Sequence, residues 1–226
     1  MKKLVVLSGS GISAESGIRT FRDMGGLWEE YDVMEVASPQ AWASNRPLVL
    51  RFYNERRKAL LEVHPNAAHF GLAELEKNFD VQIITQNVDD LHERAGSTKV
   101  LHLHGELKKA RCTIHDEDIY ELEGWELNEG DLSDNGHQLR PHVVWFGEPV
   151  PAMEEAVSMV HEADIFLVIG TSLIVYPAAG LIRYTQPGTP LYIIDPGEPA
   201  GVSNMDVTFI KRKATEGIRE FVTMIR

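Results

Sequence analysis

The 226-residue chain contains a single cysteine, Cys112. No intrachain disulfide can form, and a zinc site made of cysteines alone is excluded. Long hydrophobic runs are missing too: nothing approaches the roughly 20 apolar residues that span a bilayer. The opening MKKLVVLSGSG has two lysines and four apolar residues before its glycines, too short for the core of a signal peptide. Basic residues are scarce, 22 Lys and Arg against 34 Asp and Glu, a formal net charge of -12. Broad electrostatic binding to nucleic acid or to an anionic membrane is therefore not expected. These shortages together predict a cytoplasmic protein. Its length suffices for one large core, or a core interrupted by an insertion.

What is present is a series of short runs rich in Val, Ile and Leu, at 4–7, 81–85, 100–104, 142–146, 164–170, 190–195 and 206–210. Continuous apolar runs of this length suit strands covered on both faces, as in a parallel sheet. Helical patterns lie at 48–63, 66–78, 152–162, 175–185 and 214–226. The alternation predicts a doubly wound α/β fold with a mostly parallel, Rossmann-like sheet. Its main part would cover about residues 1–30, 80–108 and 140–226, with a helical insertion over about 31–79 and a small module over about 109–139. From Arg111 to His137 there are nine acidic side chains and one basic one, the mark of a solvated acidic excursion.

The stretch LVVLSGSGISAES runs from the first strand into a turn, and Gly9, Gly11 and Ala14 have the spacing G-x-G-x-x-A. Glycines at that spacing let backbone approach a pyrophosphate at a helix N-terminus, although a tight strand-to-helix turn needs them equally. A dehydrogenase would continue into a second strand ending in an acid that holds the ribose. Here the chain reads GIRTFRDMGGLWEEYD, which is no strand. Farther on, VLHLHGEL places His102 and His104 two apart, on one face if the run is a strand. The residues alone leave three readings open: half of a metal site, one general base beside a bystander, or two hydrogen-bonded core histidines.

Taken together, five ordered stretches resemble the sirtuin family of NAD-consuming protein lysine deacylases: GSGISAESGIRTFRD (9–23), TQNVDDLHERAG (85–96), LHGEL (103–107), RPHVVWFGE (140–148) and GTSLIVYPAAGL (170–181). The resemblance implies NAD as a consumed co-substrate, with the acyl-lysine carbonyl oxygen attacking C1′ of the nicotinamide ribose and displacing nicotinamide. A base then deprotonates a ribose hydroxyl, which attacks the resulting imidate. Histidine suits that task because its pKa lies near neutrality, and the resemblance assigns it to His104, with Asn87 as its catalytic companion. His102 becomes the bystander. NAD is expected to contact Gly9, Ser10, Gly11, Ile12, Glu15, Ile18, Phe21, Arg22, Gln86, Asn87, Val88, Asp89, Gly170, Thr171, Ser172, Asp195 and Ala214. Ile18 and Asp89 would lie nearest the carboxamide, Phe21 over the labile bond and Arg22 at phosphate. Taken singly, each has a plainer reading: Phe21 as core, Asn87 as a turn residue, Arg22 as surface. Asp195 stands where the family more often has asparagine.

The resemblance extends to the partner, an acyl-lysine side chain on a protein. Its peptide would lie extended between Val144, Phe146, Gly147 and Glu148 on one side and Val175 and Tyr176 on the other. Tyr53 and Arg56, three apart on a helical stretch, share a face. Read alone they are a packed tyrosine and a solvated arginine. They also match the Tyr-x-x-Arg of sirtuins that accept succinyl- and malonyl-lysine, where a guanidinium fork holds the distal carboxylate, and Ala37 would leave room for the longer chain. The family's structural zinc, held by two Cys-x-x-Cys pairs, is expected to be absent: the pairs read Cys112-Thr-Ile-His115 and Asp131-Leu-Ser-Asp134. A mixed site of Cys112, His115, Asp131 and Asp134 is the alternative, against which two carboxylates weigh. Two other functions fit the glycine loop, an ADP-ribosyltransferase of the same fold and a noncatalytic module that binds NAD or ADP-ribose.

Overall fold

The computed structural model describes residues 1–18, 27–28, 31–199, 201–202 and 205–225. Its strands are β1 (Lys3–Ser8), β2 (Leu27–Trp28), β3 (Tyr31–Asp32), β4 (Asp80–Thr85), β5 (Val100–His102), β6 (Gly105–Cys112), β7 (Ile119–Glu121), β8 (Leu139–Val143), β9 (Ile165–Ile169), β10 (Leu191–Ile194) and β11 (Thr208–Ile210). The helices are α1 (Val33–Val36), α2 (Pro39–Ser44), α3 (Arg46–Glu62), α4 (Ala67–Leu75), α5 (Leu91–Arg94), α6 (Met153–His161) and α7 (Ala214–Ile225), with a 3-10 helix over Ala178–Tyr184.

Six strands form one sheet in the order β11-β10-β9-β1-β4-β5, every pairing parallel. Alternate residues of the central strands enter opposite cores, which is why their runs are largely apolar. Leu4, Val6, Ile83, Leu167 and Ile169 pack with Leu72 of α4 and Phe221 of α7. Val5, Leu7, Ile84, Phe166 and Val168 pack with Ala156 and Val160 of α6 and with Leu181 and Ile182. The doubly wound sheet read from the sequence is the one observed.

Three expectations change. The run at 142–146 is not a strand of the parallel sheet: β8 ends at Val143 and pairs antiparallel with β6 in a sheet of order β7-β6-β8. Its apolar residues serve another core, where Val143 and Trp145 meet Val36, Ala37, Phe52, Tyr53 and Leu107. The run at 100–104 stops being a strand at His102, so His104 lies in the turn before β6 and the two histidines do not share a strand face. Within 175–185 the helix is of the 3-10 type and covers Ala178–Tyr184, with Gly180 in its interior weakening α-helix formation.

Helix α3 connects these parts. Asn45 caps it, its Oδ1 accepting from Leu48 N at 3.3 Å. Asn54 then exchanges two hydrogen bonds with the backbone of Leu127, Nδ2 to O at 3.2 Å and N to Oδ1 at 3.0 Å. Arg57, buried, donates from Nε to Trp125 O at 2.8 Å and from Nη1 to Leu107 O at 3.3 Å. Leu50 of α3 packs with Ala110, Leu127 and Leu139. The acidic module thus closes its core on α3, while Ile119, one of its own apolar residues, stays exposed. Burial lowers the Arg57 pKa to about 10, still charged at neutral pH. Arg57→Met strands two carbonyls and is expected to cost on the order of 3 kcal/mol in urea unfolding. A loss below about 1 kcal/mol would mean that burying the guanidinium nearly cancels its bonds.

Candidate active site

Strand β1 lies between β4 and β9, where chain progression reverses along the sheet. Ligands of such sheets bind at the carboxyl ends of the strands at that point, and the singled-out residues gather there: Gly9, Ser10 and Gly11 after β1, Gln86 to Asp89 after β4, Gly170 to Ser172 after β9, and Asp195 after β10. The glycines have a reason visible in the packing. Gly11 N donates to Gly170 O at 2.8 Å, and a Cβ on Gly11 would lie 2.7 Å from that oxygen. Gly170, at φ 66°, would bring a Cβ within 2.3 Å of Ile12 N. The two loops touch backbone to backbone, and a side chain at either glycine would push them apart. Ile12 is fully buried in the core, so it supports the loop from below.

Behind the loops lies a buried polar network, part of which the sequence reading missed. Asn87 Nδ2 donates to Gly9 O at 3.2 Å and to Ser13 Oγ at 3.1 Å. Ser13 Oγ donates to Asp89 Oδ2 at 3.0 Å, and Leu91 N donates to Asp89 Oδ1 at 3.2 Å. Burial raises the Asp89 pKa despite these bonds. Gln86 Nε2 donates to Thr171 Oγ1 at 3.2 Å. One layer deeper, the rings of His69 and His92 meet edge to face at 5.0 Å, and His92 Nε2 lies 2.9 Å from Ser8 Oγ. Asn66 ties the layer to the glycine loop: it caps α4 and its Nδ2 donates to Ile12 O at 2.8 Å and Ser16 Oγ at 2.9 Å. Asn66, a good helix-capping residue type ahead of a helical stretch, could have been found from the sequence; nothing in the sequence signalled the encounter of His69 with His92.

Burial lowers the His69 pKa from 6.5 to about 4, and the His92 pKa well below 6.5. Between those values and 6.5 the unfolded chain binds protons that the folded chain refuses, so stability falls as pH drops through this window. For His69 alone the loss is roughly 2 kcal/mol by about pH 5. His102, whose pKa is raised, works in the opposite direction. Urea unfolding at about pH 7.5 and about pH 5 should show the drop, and His69→Gln should shrink it. An undiminished drop would acquit His69.

His102 and His104 reach successive carbonyls of the loop after β4. His104 Nδ1 lies 2.9 Å from Gln86 O and His102 Nδ1 lies 3.0 Å from Asn87 O. A carbonyl only accepts, so Nδ1 carries the proton in both rings. The second nitrogen of His102 is engaged as well, 2.8 Å from Glu93 Oε1. Burial works against charging His102, but Glu93 outweighs it and the pKa rises. His104 has no such carboxylate; burial lowers its pKa, only partly offset by Gln86 O. It is therefore neutral near pH 7, with an Nε2 lone pair able to take a proton. Gly105 follows at φ 79°, and a Cβ there would lie 2.1 Å from His142 O, so the turn that presents His104 requires glycine.

Arg56, Ile18, Val88 and Asp89 line one cavity of about 130 Å³ together with Leu60 and Leu107. Tyr53 lies deeper, fully buried, its oxygen accepting from Trp145 Nε1 at 2.9 Å. Burial pushes its pKa up to about 12, and the Arg56 charge is close enough to oppose that rise. Ala37 is buried, and its O accepts from Phe146 N at 3.0 Å. Val144 N donates to His104 O at 2.9 Å. The rings of Phe146 and Tyr176 are exposed. Glu148 is committed elsewhere: it accepts from Arg140 Nη1 at 2.6 Å, Arg111 Nη2 at 3.3 Å and Trp145 N at 2.8 Å. Its carboxylate holds the loop in place, so any contact with a peptide would come from its main chain.

Glu15 also has a structural task. Its carboxylate accepts from Thr215 N at 3.0 Å and Thr215 Oγ1 at 2.9 Å, at the start of α7. Ala214 and Asp195 are buried, with Asp195 Oδ1 accepting from Gly197 N at 2.8 Å. Ser172 and Val175 lie in the loop after β9. Phe21 and Arg22 lie outside the described residues.

In the small module the candidate zinc ligands have other partners. Cys112 Sγ accepts from Ile114 N and His115 N, both at 3.4 Å. Burial disfavours its thiolate, but the Ser133 hydroxyl and these N–H groups outweigh that and lower the pKa. Asp131 Oδ2 accepts from Asn128 N at 2.6 Å, and Asp134 N donates to Tyr120 Oη at 3.2 Å. The mixed set of Cys112, His115, Asp131 and Asp134 is not assembled. Among the described residues no three His, Cys, Asp or Glu side chains converge as metal ligands.

A parallel sheet with facing glycine loops at its switch point is the frame of a nucleotide-binding α/β fold. Residues 9–177 match the Sir2 family, and the chain belongs to it. A relative from Bacteroides thetaiotaomicron named NAD-dependent protein deacylase is 53% identical over 231 residues, covering 100% of this chain and 98% of its own. One of the same name from Helicobacter pylori strain J99 is 53% identical, covering 98% of this chain and 94% of its own. Among solved structures, a Sir2 homolog–NAD complex has a TM-score of 0.89 at 42% identity, covering 100% of this chain and 90% of that one.

Proposed function

We propose that this chain removes acyl groups from protein lysines in an NAD-dependent reaction, that acidic acyl groups such as succinyl and malonyl are preferred, and that acetyl-lysine is a second substrate. Relatives at 53% identity over nearly their whole length carry the name NAD-dependent protein deacylase, which supports the reaction. The observation that carries the mechanism is His104, neutral and held through Nδ1 beside the loop that bears Asn87. The preference rests on a guanidinium, Arg56, in the wall of the cavity that Ile18 and Asp89 also line.

NAD fits as co-substrate because the loops after β1, β4 and β9 meet at the carboxyl ends of the strands, and Asn87 fixes Gly9 O. NAD supplies a ribose carbon whose bond to nicotinamide is labile. His104 Nε2 takes the proton of a ribose hydroxyl, so that, with one water consumed, the acyl group passes to that oxygen, C1′ keeps a hydroxyl and a free lysine amine leaves. The Arg56 fork pairs with the distal carboxylate of the acyl chain, and the main chain of 144–148 and 175–176 holds the peptide as an added strand.

Product analysis tests this. Incubation with NAD and a succinyl-lysine peptide should yield nicotinamide, O-succinyl-ADP-ribose and free lysine in equal amounts. ADP-ribose attached to protein with the acyl group intact would replace the proposal by transfer. NAD bound but never consumed would replace it by a binding module.

A further inference from the structure

We propose that Trp145 is a positioning residue for acyl selectivity: its indole N–H, donated to the Tyr53 phenol oxygen, commits the phenol's own O–H to donate to the carboxylate of an acidic acyl group. The inference rests on the acyl preference proposed above. An indole N–H can only donate, whereas a phenol can donate or accept. With Trp145 Nε1 2.9 Å from the Tyr53 oxygen, the phenol already accepts, and its proton must serve another acceptor. Trp145 is 2% exposed and Tyr53 0%, so bulk water does not compete for the bond.

Trp145 is itself held firmly. The Arg140 guanidinium lies 3.3 Å from its ring centroid, its ring meets that of Trp42 at 5.8 Å, and its backbone N–H donates to Glu148, which Arg140 and Arg111 also grip. An aromatic ring held at its face by a cation, against a second ring and at its backbone keeps its N–H aimed in one direction. Its neighbours Val144 and Phe146 are the residues expected against the peptide main chain. One residue therefore links the strand that docks the peptide to the phenol that reads the acyl group, and Arg56 supplies the charge on the same helix face as Tyr53.

Trp145→Phe keeps a ring for Arg140 and removes only the donor. Rates with succinyl and acetyl peptides should show the ratio of kcat/KM falling at least about fivefold, with the change carried by KM for the succinyl peptide. Tyr53→Phe should lower the ratio similarly, and the double variant no further than either single one. A ratio that falls in Tyr53→Phe but stays at its wild-type value in Trp145→Phe would overturn the role of Trp145 and leave the acyl preference standing. A wild type without succinyl preference would remove the preference itself, and this inference with it. In the intact protein, the Trp145 indole N–H resonance should shift further when succinyl peptide binds than when acetyl peptide does. Equal shifts would overturn the proposal even if the variant does not fold.

Discussion

His104→Ala is expected to lose deacylation by at least about a hundredfold, the lower end of what a positioned general base contributes. The loss should fall on kcat. In the proposed reading NAD is held mainly by the loops after β1, β4 and β9, and the hydrogen bond of His104 to them is the one to Gln86 O. NAD affinity should therefore change by less than about threefold, roughly 0.6 kcal/mol. A parallel collapse of NAD binding would make His104 a binding residue and contradict its role as base. The wild-type enzyme offers a second check. Burial lowers the His104 pKa, so the base form persists below the ordinary histidine value of 6.5. The acidic limb of kcat/KM should have its midpoint under 6.5 and should not be found above it.

Arg56→Met is expected to lower kcat/KM for succinyl and malonyl peptides by roughly 30- to 100-fold, equivalent to about 2–3 kcal/mol for a charge-assisted pair. The acetyl group has no carboxylate to lose, so its turnover should change far less. Lysine at the same position should recover only part of the effect, since an ammonium is a point charge and not a fork. Arg56 is half-buried in the cavity wall, with its guanidinium 5.4 Å from the Phe52 ring centroid. Burial strengthens an ion pair made there relative to one on the open surface. If succinyl and acetyl turnover fell together, Arg56 would be a prop for α3 and the selectivity would lie elsewhere.

The parallel strands were legible because β1, β4, β9 and β10 are covered on both faces, so most of their residues are apolar. The same signal misled at 142–146, where Val143 and Trp145 are just as buried but in the core of α3 and the antiparallel sheet. An apolar run states that a segment is covered and does not say by what. The glycine loop was readable as a phosphate loop, while its contact with Gly170 was not, since the two are far apart in the chain. For the same reason the encounters of His69 with His92 and of Trp145 with Tyr53 had no periodicity to announce them. Glu15 and Glu148 fell in motifs that suggested ligand contact. In space each carboxylate is taken up by the protein, one at the start of α7 and the other by two arginines.

The most direct test of the central claim is a competition in one tube. Equal amounts of succinyl- and acetyl-lysine forms of the same peptide are incubated with the enzyme and NAD, and the loss of each is followed by mass spectrometry. The account predicts that both disappear only when NAD is present and that the succinyl form disappears first. Acetyl loss that keeps pace with or outruns succinyl loss would contradict the reading of Tyr53 and Arg56, and loss of either without NAD would contradict the reaction itself.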